Sequence, residues 1–193
     1  MKQMNILTLL VFLLILFNGC NVVNRADVIL QSVKIDSTTS TLHTLLFSAM
    51  QNQDTSILIY ELKKMGFNEI YSTSQTTKYN STTSDSSIEI IFLDNQEIEC
   101  IVFHKECTNS TEALDYFLQW SKQNRTNKSW YNFKGIIGKK KYSNYASFLT
   151  SISNDVTPPL FYYEQATDFC LDYVITGDSL SFSHQIGYYQ YPL

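Results

Sequence analysis

Along residues 41–193 apolar side chains recur in two rhythms, one of three to four residues and one of two, and the rhythms alternate. Leu42, Leu45, Leu46, Ala49 and Met50 share one helical face. Asp54 stands where an N-cap belongs, ahead of Ile57, Leu58, Leu62 and Met65, and Gly66 stands where a helix ends. Asn68–Lys78 is polar and β-prone, and Ser81–Ser87 is a turn-forming run of Ser, Thr and Asp. Ile88, Ile90 and Phe92, then Ile98, Cys100 and Val102, alternate around an Asp94-Asn95-Gln96 turn, which predicts a hairpin over 88–104. Asn109 or Ser110 caps a third helix, with Glu112 in its first turn and Ala113, Leu114, Phe117, Leu118 and Ser121 inward. An irregular basic stretch follows. Tyr145, Phe148, Leu149 and Ile152 mark a fourth helix, ended by Pro158 and Pro159. Leu160–Glu164, Phe169–Thr176 and Leu180–Ile186 read as a second meander with a turn at Gly177-Asp178.

The resulting order, αα-βββ-αα-βββ, predicts an α+β fold: antiparallel strands with helices packed on one face. It fits either an internal duplication, with halves 41–107 and 108–193, or one domain over 41–193. His43 lies beside Leu42, off the apolar stripe, and is expected at the surface. Val28–Ile35 is the only strand signal before residue 41.

The N-terminus has a different pattern. Lys2 precedes an apolar run from Ile6 to Phe17 broken only by Thr8. Twelve helical residues reach about 18 Å, short of the roughly 30 Å hydrocarbon core but suited to a signal-peptide core. Phe17-Asn18-Gly19-Cys20 follows. This resembles the lipobox of bacterial lipoproteins, although Phe17 replaces the usual Leu and Asn18 a smaller residue. The resemblance implies a signal peptide over 1–19, lipidation of Cys20, a membrane anchor, and a tether over 20–40. Two or more acyl chains on one Cys anchor stably where one does not. The implied location is the cell envelope, at the outer membrane in a two-membrane cell, on its periplasmic or outer side.

Chain length of 193 residues is enough for a real core, and 44% hydrophobic with 17% charged residues excludes bulk disorder. A net charge of −4 offers nothing to nucleic acid as a whole. Its distribution is less bland. Residues 116–154 contain no Asp or Glu but hold Lys122, Arg125, Lys128, Lys134, Lys139, Lys140 and Lys141. Thirteen of the 14 basic residues follow Gly19; six of them lie outside this window, against 18 acidic residues. The mature chain therefore divides into +7 and −12. Trp120, Trp130, Tyr131, Phe133 and Tyr142 interleave with the cations, a combination suited to an anionic lipid, glycan or protein. The ordinary alternative is a solvated stretch whose aromatics turn into the core and whose lysines pair with the acidic remainder.

Other motifs carry less. Gly177-Asp178-Ser179-Leu180 spells the signature of GDSL esterases, but only 13 residues follow Leu180 and His184 is in no Asp-x-x-His pair, so a hairpin turn is expected. Cys100, His104, Cys107 and Cys170 form no common zinc spacing. Cys100 falls on an apolar strand face as a buried thiol, which leaves Cys107 with Cys170 as the candidate disulfide. Glu97 and Glu99 share a strand face and are expected to be solvated. No spacing calls for a metal or cofactor. The combined expectation is a non-enzymatic envelope lipoprotein that binds a partner. An immunity- or inhibitor-type lipoprotein and, further off, a wall or glycan hydrolase are the alternatives. The element order also looks like small β-lactamase-inhibitor-type and assembly-lipoprotein domains, a likeness of architecture that does not fix function.

Overall fold

The computed structural model describes residues 28–127, 131–137, 139–154, 160–165, 170–176 and 181–187. The helices are α1 (Ser37–Asn52), α2 (Thr55–Lys64), α3 (Ser110–Asn127) and α4 (Tyr145–Asn154). Each begins on a short polar side chain that satisfies a backbone N–H of the first turn. Asp36 accepts from Thr39 N at 2.7 Å, Asp54 from Ile57 N at 3.0 Å, Asn109 from Glu112 N at 2.9 Å and Asn144 from Ser147 N at 3.0 Å. Glu112 reaches back to Thr108 N at 2.7 Å, closing a capping box at the start of α3. Gly66 follows α2 with φ +84°, where its N–H donates to Lys63 O; a side chain there would be strained.

Nine strands among the described residues form one antiparallel sheet: β1 (Phe67–Ser72), β2 (Thr76–Ser81), β3 (Ser86–Phe92), β4 (Ile98–Glu106), β5 (Tyr131–Ile137), β6 (Lys140–Tyr142), β7 (Leu160–Gln165), β8 (Cys170–Thr176) and β9 (Ser181–Gly187). Their order is β1-β2-β3-β4-β9-β8-β7-β5-β6. The predicted hairpin is β3–β4, and the second meander is β7–β8–β9. One register line crosses all nine strands through Glu69, Tyr79, Ile88, Phe103, His184, Tyr173, Tyr162, Gly135 and Tyr142. Directly paired residues share a face, so the Phe103 end and the Gly135 end of the line look to the same side. Trp120 of α3 stacks on Phe103, with ring centroids 5.1 Å apart. Phe148 of α4 lies over Gly135, where an added Cβ would come within 2.4 Å of its ring. Helices therefore cover this face, and Leu46, Leu58, Phe117, Trp120 and Phe182 are fully buried beneath them. On β4 the opposite face carries Val102, His104 and Glu106, partly or fully exposed.

Several expectations change. The first half has four strands, because the polar stretch after Gly66 folds into both β1 and β2. The irregular basic stretch contains β5 and β6, which separate α3 from α4. Residues 28–32 form a helical turn instead of a strand, and Ile29 and Leu30 pack on the core. From residue 28 onward the expected tether is thus part of the packed structure. His43 is buried, not exposed: α1 packs against α3 as well as the sheet, so its buried arc exceeds the apolar stripe. Pro158, Pro159 and the Gly177–Leu180 motif with Ser179 lie outside the described residues.

Candidate functional site

Alternation along β4 sends His104 and Lys105 to opposite faces of the sheet. Each lines a recess, and the β2–β3 connection forms a lip of both. Ser81 Oγ fastens that connection by accepting from Thr83 N and Ser84 N at 3.2 Å. Glu106 N donates to Asp85 O at 2.8 Å, holding the connection against the end of β4.

The recess on the open face measures about 300 Å³ and is lined by Lys78, Asn80, Asp85, Ser87, His104 and Glu106, among others. His104 Nε2–H donates to Glu106 Oε1 at 2.9 Å, which leaves Nδ1 to accept from Ser183 Oγ at 2.8 Å. Ser183 and His104 meet because they are register partners on β9 and β4. Hydroxyl, imidazole and carboxylate thus follow the order of a nucleophilic triad. What acyl transfer also needs is a pair of free N–H donors beside the hydroxyl. Ser183 sits within β9, paired with His104 on one side and Val174 on the other, so the surrounding amides belong to the ladder. The arrangement orients a hydroxyl but leaves no main-chain donors free beside it, so any oxyanion would depend on side chains such as Lys78 and Asn80 of the recess.

The recess on the helix-covered face lies at the seam between α1, α3 and the sheet. It measures about 100 Å³. Leu42, Phe67, Phe103 and Trp120 supply its apolar walls, and Asp36, Lys105, Tyr116 and several Ser and Thr hydroxyls its polar rim. Burial raises the Tyr116 phenol above its ordinary value, with the Asp36 carboxylate as a second cause.

The basic stretch is dispersed. Lys122 donates to Gln31 O at 3.3 Å and to Val33 O at 2.7 Å, clamping residues 31–33 onto α3. Trp120 is fully buried, Phe133 packs on Phe148 at 5.4 Å, and Tyr142 packs on the same ring at 5.6 Å. Trp120 belongs to the core, whereas Phe133 and Tyr142 are partly buried and pack against it. Lys134 on β5, and Lys139, Lys140 and Lys141 at the β5–β6 hairpin, are exposed. Lys140 Nζ lies 4.9 Å from the Tyr142 ring centroid, and neither Lys139 nor Lys141 forms an ion pair among the described residues. The side chain of Arg125 and all of Lys128, Trp130 and Cys20 lie outside the described residues.

Cys107 is a free, buried thiol, and its pairing with Cys170 does not occur. Cys170 stands opposite Gly187, which stands opposite Cys100. Cys107 follows Glu106 at the other end of β4. Cys107 lies seven residue steps beyond Cys100, about 23 Å along the strand direction, whereas a disulfide needs Cα atoms within roughly 7 Å. Cys100 is buried as expected. Cys100 and His104 stand about 13 Å apart along the strand, too far to share an ion. Among the described residues no group of His, Cys, Asp and Glu is placed to hold a metal. No described helix is long and apolar enough to cross a membrane.

The sequence reading missed the Ser183–His104–Glu106 chain, because the β4–β9 register joins residues 79 positions apart. Lys105 did leave a signal: it shares strand parity with Ile101 and Phe103. The fold and its two recesses define an α+β protein with a single sheet, helix-covered on one side. No family model matches the chain, and no curated protein and no solved structure matches it either.

Proposed function

We propose that the chain is a cell-envelope lipoprotein, anchored through lipid on Cys20, that acts as a binding module for an anionic partner. The observation that carries the reading is the β5–β6 hairpin. Lys139, Lys140 and Lys141 are consecutive and exposed on the sheet edge opposite β1, while Phe133 and Tyr142 turn their rings toward the core. The contact is therefore electrostatic, made by Lys134 and Lys139–Lys141, with Lys122 spent on the fold. Lysines also guard an edge strand against pairing with other chains, and a three-residue β6 fits that role. The two roles are separable by experiment. Vesicles of anionic lipid should retain the mature chain carrying no acyl group at low salt and lose it steeply as salt rises, and zwitterionic vesicles should not retain it. Lys139→Glu, Lys140→Glu and Lys141→Glu together should abolish retention. Salt-independent retention, or retention of the triple variant, would remove the proposal. Metabolic labelling with palmitate, lost in Cys20→Ala, tests the anchor. The Ser183–His104–Glu106 chain is the observation that favours a hydrolase, and its lack of free main-chain oxyanion donors leaves that reading second.

A further inference from the structure

Lys105 is a lysine on the wrong face. It follows the strand parity of Ile101 and Phe103, stands in register between Ser86 and the fully buried Phe182, and is half-buried at the seam recess. Its ammonium has no hydrogen bond or ion pair among the described residues. Two carboxylates that Lys105 could pair with, Asp36 on the recess wall and Glu112, whose pKa the lysine helps to lower, are already hydrogen-bonded. Asp36 accepts through both oxygens from Thr39, at 2.7 and 2.6 Å. Glu112 accepts from Thr108 N and Oγ1 at 2.7 and 2.8 Å. Glu112 faces Lys105 only through space, without a contact ion pair, so a second anion that reaches the half-buried ammonium gains more than it would in water. Behind Lys105 the recess is walled by Leu42, Phe67, Phe103 and Trp120, which offer an incoming group apolar surface.

We propose that this recess binds a small amphiphilic carboxylate, its head at Lys105 Nζ and its tail on the apolar wall that Trp120 backs. The size follows from the volume. At about 100 Å³ the recess is smaller than the roughly 150 Å³ apolar cavity that takes up benzene, which suits a tail of roughly three or four carbons. Hydroxyls at the rim, Ser86 and Tyr116 among them, can donate to the second carboxylate oxygen. A ligand of about seven non-hydrogen atoms is small, so a dissociation constant on the order of 1 mM is expected. This site is on the opposite face from His104 and is independent of the lysines of the β5–β6 hairpin.

Isovalerate and its neutral isostere isovaleramide are the probes, because they share shape and differ in charge. The chain has two tryptophans, so Trp130→Phe in the full-length protein makes Trp120 the sole indole reporter. Isovalerate should change Trp120 emission saturably, and isovaleramide should bind at least about tenfold more weakly. Lys105→Met should lose the response and Lys105→Arg should keep it, with thermal melts confirming that both fold. The proposal is overturned if isovalerate gives no saturable change up to about 50 mM. It is equally overturned if the amide matches the acid, or if folded Lys105→Met binds like the parent. If Lys105→Met does not fold, the comparison of acid and amide on the unsubstituted lysine decides.

Discussion

Lowering the pH from 7 to 5 should destabilise this protein through a single histidine in the interior. His43 is 2% exposed, stacked on Phe47 at 4.6 Å, edge-on to Trp120 at 5.2 Å, and hydrogen-bonded through Nε2–H to Asn124 Oδ1 at 2.5 Å. Burial lowers its pKa from 6.5 to about 4, partly opposed by the Asn124 bond. The unfolded chain therefore takes up the proton first as pH falls, and stability declines as pH drops through 6.5 toward 4. At pH 5 the unfolded imidazole is almost fully charged and the folded one only about one-tenth so. The difference is about 2 kcal/mol between pH 7 and 5, approaching about 3 kcal/mol below pH 4. For a chain of this size 2 kcal/mol corresponds to a melting shift of roughly 4–8 °C. His43→Gln is the comparator, since its amide still donates to Asn124 but does not titrate. Urea unfolding of both proteins at pH 7 and 5 isolates the term, because the carboxylates titrate equally in the two. Wild type should lose about 2 kcal/mol more than His43→Gln. Equal losses, or an imidazole proton resonance for His43 with a midpoint near 6.5, would refute the reasoning.

Three further outcomes follow from the packing. Gly135→Ala should destabilise by about 1–3 kcal/mol, since the new Cβ meets Phe148 at 2.4 Å and Phe133 at 2.8 Å; an unchanged urea midpoint would mean that α4 sits elsewhere. Burial pushes the Cys107 thiol up from 9 to about 11, so iodoacetamide at pH 8 should modify it roughly a hundredfold more slowly than a free cysteine peptide. Non-reducing peptide maps should contain no Cys107–Cys170 link. Lys122→Met removes charge-assisted bonds to the carbonyls of Gln31 and Val33 and should cost about 1–2 kcal/mol, read as faster amide exchange over residues 29–36 with little change in α3.

The helices were readable because their signals are local. Asp54, Asn109 and Gly66 act within one turn of where they stand, and so do the apolar rows they frame. The β3–β4 hairpin was readable from its turn and from β3, where Ile88 and Ile90 are buried, but on β4 the helix-covered side chains are Ile101 and Phe103, while Val102 of the expected inward row lies on the open face. Where alternation failed, particular residues explain it. β5 reads Tyr-Asn-Phe-Lys-Gly-Ile-Ile, and Gly135 occupies the position where an apolar residue would have completed the rhythm of Phe133 and Ile137. The glycine is there because Phe148 fills that space from α4, a partner no local window contains. β1 is buried only at Phe67, as an edge strand with little face to bury, so its polar composition was uninformative. His43 failed differently. Its neighbours Leu42 and Leu46 mark the side facing the sheet, but the side facing α3 is buried as well, and Asn124 supplies the polar partner.

The candidate sites depended on long-range register to a greater degree. The last strands of the two meanders, β4 and β9, pair at the centre of the sheet, so the remaining strands of each half extend outward. Thr55–Cys107 carries eight acidic and four basic residues, while Tyr131–Tyr142 carries Lys134 and Lys139–Lys141 with no acid. The topology sends these segments to opposite ends, with β1 and β6 eight strand spacings or about 38 Å apart. That exceeds the screening length of about 8 Å at physiological salt several-fold. The lysines of the hairpin are thereby kept from the acidic strands β1–β3, whereas a sheet closing β6 onto β1 would have paired the two. Division of the charge was visible in the sequence, but its separation in space follows only from the β4–β9 pairing. The two ends should consequently respond independently: reversing Lys139–Lys141 should leave both the Lys105 recess and the His104 hydrogen bonds unchanged, measurable as unaltered isovalerate affinity and an unaltered His104 imidazole resonance.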